Sequence, residues 1–340
     1  PALQAFTASL AASGIGLIVV ALASLVTLFT KAGKKGAEFS KAISGLGAIT
    51  GKTSEELEVL SDQAKELGST TAFTASQVVS LQTELAKLGF TIQDIENATP
   101  AILDLSASLD VSLAEAATFA GSVVRSFGLT TQDTLNVVNV LADSTTKSAL
   151  NFSLLSESLK LVAPTAKAVG LSLADTTALL GVLADNGIKG SRAGTGLSRA
   201  LTDLNAKGLT LNDAYKKINS SSNKLVTATD LVGVVGGRAL LTLASNTGAI
   251  NDLADALTNV DDAAARLIAE KRLDNLAGDT TKLASAWEGF LLNIEDGTGV
   301  LNKLSRGAIQ LLTNSIGAFQ DAVSITTFYL RDMFLDLKQR

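Results

Sequence analysis

The sequence predicts an all-α protein: a multi-helix array of capped helical hairpins, with an apolar N-terminal helix and a coiled-coil-like C-terminal helix. Three observations predict it. Apolar residues recur at three- and four-residue steps, as in Leu57, Leu60, Ala64 and Leu67, the period of one helix face. Sustained period-two alternation is missing, and the Val-Val pairs at 78–79, 123–124 and 137–138 sit inside helical patterns. Proline is nearly absent: Pro100 and Pro164 are the only internal ones, and 176 residues pass without one from Thr165 to Arg340.

In chain order, the first element is residues 1–35, an apolar, membrane-competent helix. Residues 1–30 carry no charged side chain. Ile15, Leu17, Ile18, Val19, Val20, Leu22, Leu25, Val26, Leu28 and Phe29 fill a stretch long enough to cross a hydrocarbon core, which takes about 20 helical residues. Lys31, Lys34 and Lys35 follow at once, as at a membrane surface. Burial in a protein bundle or enclosed oligomer is the other reading of the same segment. Residue 1 is Pro rather than Met, as expected of a piece cut from a longer chain.

Residues 36–220 form a helical core, and its punctuation is regular. Gly-apolar-Ser/Thr-x-x-Asp recurs at Gly89 to Asp94, Gly128 to Asp133, Gly170 to Asp175 and Gly208 to Asp213, with glycines spaced by 39, 42 and 38 residues. Gly closes one helix in a left-handed cap, Ser/Thr caps the next, and the acid at the third helical position completes a capping box. Capping accounts for all four acids at one spacing, so they predict no repeated metal or substrate site. Related caps are expected at Thr53 to Glu56, Thr74 to Gln77 and Ser112 to Glu115, and at Thr99 with Pro100 in the first helical turn. The densest glycine loop is Gly187, Lys189, Gly190, Arg192, Gly194 and Gly196. It lacks the Gly-Lys-Ser/Thr ending of a phosphate loop, and close helix contact at Gly194 and Gly196 is expected over an anion site at Lys189 and Arg192.

A helical extension, 221–300, begins with a flexible joint at Val232–Arg238 and contains the acidic run Asp252, Asp255, Asp261 and Asp262, read as a solvated face. Trp287, the single tryptophan, is expected as a packing anchor. Residues 301–340 carry two heptad ladders. One is Ile309, Ile316, Val323, Leu330 and Leu337; the other is Leu312, Phe319, Thr326 and Met333. Their uncharged flanks, including Ala308, Gln320, Ala322 and Phe334, suit three or more strands in a homo-oligomer. The other reading of this segment is an amphipathic helix folded on its own domain.

With no histidine and no cysteine, the chain has no Ser-His-Asp or Cys-His relay, no ordinary zinc site and no disulfide. No enzyme activity, cofactor, metal or small-molecule substrate is expected. The net charge of −5 gives no basis for sequence-specific nucleic-acid binding.

Residues from about Thr53 to Leu204 resemble the core region of phage tail tape-measure proteins. The phrases that carry it are Leu67-Gly-Ser-Thr-Thr-Ala-Phe73-Thr-Ala-Ser76, Leu85-Ala-Lys-Leu-Gly-Phe90, Ser126-Phe-Gly-Leu129, Leu141-Ala-Asp143 and Gly187 to Leu197, with weaker similarity to about Leu312. The resemblance implies a structural virion protein in the tail tube lumen or tail tip. It would set tube length during assembly beside tube and baseplate or tail-tip proteins, and help the genome across the host inner membrane on ejection. A pore-forming bacteriocin or toxin-like helical membrane protein is the alternative; it would kill as an isolated protein.

Overall fold

A computed structural model of the chain describes the backbone of residues 14–295 and the side chains of 31–293. Fourteen α-helices and no strand occur among the described residues. They are α1 Gly14–Thr50, α2 Glu58–Thr70, α3 Ala75–Lys87, α4 Ile92–Leu109, α5 Leu113–Phe127, α6 Thr134–Lys147 and α7 Phe152–Ala168. Then come α8 Leu173–Asp185, α9 Ser191–Ala206, α10 Leu211–Asn219, α11 Lys224–Ala244, α12 Thr247–Thr258, α13 Ala264–Arg272 and α14 Leu276–Glu295. The backbone of Ile15–Phe29 is helical within α1, but those side chains lie outside the described residues, as does the whole seam from Ile309 to Leu337.

The corners follow one local chemistry. Gly89, Gly128, Gly170 and Gly208 all take positive φ. At each, the next residue donates its N–H to the carbonyl five back, as Phe90 does to Leu85 and Leu171 to Ala166, closing the helix in a Schellman motif. Capping boxes then open α3 (Thr74, Gln77), α4 (Thr91, Asp94), α5 (Ser112, Glu115), α8 (Ser172, Asp175) and α10 (Thr210, Asp213). Thr130 and Asp133 open the short 3₁₀ turn before α6, and Thr53 and Glu56 the turn before α2. Successive corners also touch, since the Thr131 hydroxyl donates to the Asp94 carboxylate.

The prolines depart from expectation. Thr99 is no cap: α4 begins eight residues earlier, where the Thr91–Asp94 box outweighs a proline that merely tolerates a first-turn position. Pro100 lies inside α4 and Pro164 inside α7. Pro100 has no N–H to give the carbonyl of Glu96, and Gln63 Nε2 from α2 donates to that carbonyl instead, at 2.7 Å. Gln82, fully buried on α3, donates to Leu60 O at 3.0 Å and lies 3.2 Å from Gln63 Oε1, so one amide pair ties three helices together.

Two compact units share the chain. The larger, Lys41–Ala286, is centred on α8, of whose 13 residues 11 are buried, the mark of a helix surrounded on all sides. Helices α6, α7, α9, α11 and α12 pack around it. At the far side α13 returns to cover α4 and α6. Asn139, almost fully buried on α6, fixes it there: its amide donates to Asp262 O and accepts from Ala265 N, both at 2.9 Å. In the smaller unit, whose described part is 14–40 with 287–295, Lys35 bridges Glu38 at 3.0 Å and the buried Glu288 at 3.3 Å. Trp287 is 48% exposed and tilted against Phe290 at 5.3 Å, so it is a surface aromatic pair rather than a buried anchor.

Candidate functional site

The glycine loop singled out in the sequence packs where three helices meet. Gly187 closes α8 with φ +83°, donating to Ala184 O while Ile188 N reaches Leu183 O at 2.8 Å. Gly190, at φ 56° and ψ −135°, occupies backbone space reserved for glycine and sits at the N-cap of α9. A Cβ on Gly194 would stand 2.5 Å from the carbonyl oxygen of Ser158, so α9 and α7 touch backbone to backbone there. Ser158, fully buried, places its hydroxyl 2.8 Å from Gly190 O. Gly196 faces Ala239 of α11, where an added Cβ would lie 3.1 Å from the alanine methyl. Another phrase of the resemblance does similar work, because a Cβ on Gly68 would fall 2.4 Å from Ala75 N at the α2–α3 corner.

The joint at Val232–Arg238 is a helix break tied to its neighbours by specific contacts. Helix α11 breaks at Val232 and Gly233, the latter with φ +69°. Lys207 Nζ closes the first half by donating to the carbonyls of Asp230 at 2.9 Å and Leu231 at 2.6 Å. The second half packs back closely: a Cβ on Gly237 would lie 3.1 Å from Thr229 Cα, and one on Gly236 would lie 3.1 Å from Ala200 N. The ends of adjoining helices therefore leave glycine as the residue that fits.

A groove of about 540 Å³ runs beside this joint, lined by Gly187, Ile188, Ser191, Arg192, Thr195, Val234, Val235, Arg238 and Ala239. Val234 is 67% and Val235 57% exposed. Arg192 and Arg238 are exposed, and neither forms an ion pair among the described residues. Lys189 is exposed at the loop crest. The loop pattern points to Arg192, but nothing in it points to Arg238 or Lys207, which arrive from other elements. A second cleft, about 430 Å³, is lined mainly by apolar residues such as Leu179, Leu204, Leu209 and Ile250, together with Tyr215. The Tyr215 hydroxyl is buried without a partner among the described residues, and burial pushes its pKa well up.

Most perturbed acids belong to caps. The hydroxyl of Thr131, then that of Thr91, holds Asp94 below the usual carboxylate range; Ser112 does the same for Glu115 and Thr210 for Asp213. Glu38 is lowered instead by its Lys35 partner, and Asp104 shifts the other way. On α4 facing α13, it is pushed up to about 6 by burial, with Arg266 opposing the rise and Glu270 adding to it. Among the described residues no group of three acids is placed to hold a metal ion. Asp252, Asp255, Asp261 and Asp262 are all exposed. What the described residues build around this loop is close helix contact, with backbone meeting backbone at Gly194 and at Gly68.

The comparisons with known proteins agree with that character. A family model described as "Phage-related minor tail protein" matches residues 61–278. The chain is similar to a "Tape measure protein" of Pneumococcus phage Dp-1, 30% identical over 309 residues, which cover 83% of this chain and 27% of that protein. It is also similar to a "Probable tape measure protein" of Escherichia phage P2, 28% identical over 354 residues, covering 94% of this chain and 43% of that one. The chain thus spans less than half the length of either relative. No solved structure matches it. With every glycine-pinned corner from Gly68 to Gly237 falling inside the matched stretch, the chain belongs to the family of phage-related minor tail proteins.

Proposed function

We propose that the chain is the core region of a tape measure protein, a structural component that sets tail tube length during assembly. The observation that carries this reading is similarity to two proteins of that name over most of the chain, joined to an all-helical build. A helix advances 1.5 Å per residue, so helical chain converts length into distance directly. On this reading 1–35 is a membrane-inserting helix, 36–220 the core, 221–300 an extension and 301–340 a seam leading into a rod. The seam joins three or more copies. Tube and tail-tip proteins are the neighbours in the virion, and the host inner membrane is the neighbour at ejection.

The uncharged run 1–30 supports the membrane step, because a largely apolar helix with no charged side chain is costly in water and needs cover until lipid is available. The experiment is a set of in-frame deletions in the full-length gene, downstream of this chain. Tails shortened in proportion to the residues removed support the ruler, and tails of unchanged length overturn it. Liposome permeabilisation by protein released from particles, lost on Val19→Asp with Leu22→Asp, tests the membrane step separately.

A further inference from the structure

We propose that the groove between α9 and the second half of α11 receives the acidic face of α12 from a second copy of this chain. The proposal deepens the self-association stated above and rests on it. Charge is strongly divided along the sequence. Residues 187–238 hold eight lysines and arginines against three aspartates, whereas 239–262 hold four aspartates and no basic residue, in a chain of net charge −5. The structure places these opposite charges on the surface. Arg192 and Arg238 line the same groove as the exposed Val234 and Val235 and have no ion pairs among the described residues. On α12, Gly248, Asp252 and Asp255 follow at spacings of four and three, one helix face, and all are exposed.

An exposed apolar strip that shares a groove with two unpaired guanidiniums is an incomplete surface. What completes it is a helix face offering carboxylates at its edge, and the chain owns one. Because groove and acidic face are different patches, the contact is head-to-tail, and repetition yields a ring or a filament rather than a two-fold dimer.

The absence of cysteine makes the test clean. In the full chain, Thr195→Cys is placed in the groove and Gly248→Cys on the acidic face, where an added Cβ meets nothing within 4 Å. Each chain carries one thiol, so a bond between the two variants can only be intermolecular. Mixed under oxidising conditions, they are expected to form a crosslinked pair at least tenfold faster than either alone. Adding R192E/R238E to the first variant abolishes the pair, and D252R/D255R on the second restores it. The proposal is overturned if crosslinking in the mixture matches that of the separate variants, or if charge reversal leaves it unchanged. It is equally overturned if the reversal only removes binding to vesicles of anionic phospholipid. A chain that still oligomerises without this crosslink keeps the seam and loses the groove; a chain that stays monomeric loses both.

Discussion

Gln63 Nε2 donates 2.7 Å to the carbonyl of Glu96, the group that Pro100 leaves without its helical donor. A proline inside a helix removes one ladder hydrogen bond and its ring presses on the carbonyl four residues back. Here a side chain from α2 replaces the missing donor, so α4 keeps its proline and gains a tether. Gln63→Ala is therefore expected to destabilise the protein by about 1 kcal/mol, the low end of the range for orphaning an acceptor, because this carbonyl is only part-buried. In a Pro100→Ala background the new N–H takes over that carbonyl, and the same substitution should cost less than half as much. Denaturant unfolding of the four proteins of the double-mutant cycle measures the coupling.

Two kinds of glycine predict two kinds of response. Gly194 is needed for space, with Ser158 O in the way of a Cβ, while Gly208 is needed for its φ of +64° and has open space around it. Gly194→Ala is expected to cost about 1–3 kcal/mol by overpacking, and Gly194→Asn more. Gly208→Ala should cost about 1 kcal/mol, and Gly208→Asn much less, because asparagine tolerates the left-handed region. Thermal unfolding that ranks Asn above Ala at both positions would contradict this division.

Much of the fold was legible at this level because capping is local. Gly89, Gly128, Gly170 and Gly208 mark corners through residues that all lie within a few positions of one another, so spacing alone finds them. The corner at Asp110 is only half visible: a non-glycine residue takes φ 58° there, so Ser112 to Glu115 is its one local signal. Thr99-Pro100 misled because it has the form of a helix start, and only the distant Gln63 explains why the helix runs through it. Lys207 on the Asp230 and Leu231 carbonyls, Asn139 on α13 and the Tyr215 cleft all join residues far apart in sequence, and no periodicity encodes them.

Asp104 and Asp94 predict opposite responses to acid. Asp104 has a folded pKa of about 6 against an ordinary 3.8, so ionising it works against the α4–α13 contact. Its favourable contribution is complete below about pH 4 and is lost as pH rises through 6. Asp104→Asn should raise stability at pH 7 by on the order of 1 kcal/mol, allowing for partial solvent screening, and should add nothing at pH 4. Equilibrium unfolding at the two pH values tests the sign.

Asp94 runs the other way. Hydroxyls of Thr131 and Thr91 lower its pKa, so its contribution is present at neutral pH and is lost as pH falls below the ordinary carboxylate value of 3.8. Thr91→Ala removes the cap of α4 and should cost about 1 kcal/mol. Thr131→Val leaves the cap and removes only the link between corners. Carbon-detected titration of the Asp94 carboxyl should show its pKa rising in both variants.

The Asn139 contact with Asp262 and Ala265 also sets an order of events during synthesis. The partners are 123 residues apart, so a ribosome adding roughly 5–20 residues per second needs on the order of 10 s to deliver the second after the first. Through that interval α4 and α6 have formed their own local corners, yet the face that α13 will cover stands open, with Asp104 and the Asn139 amide still in water. Nascent chains halted before residue 262 should expose that face to a hydrophobic dye, and chains long enough for α13 to clear the ribosome should not.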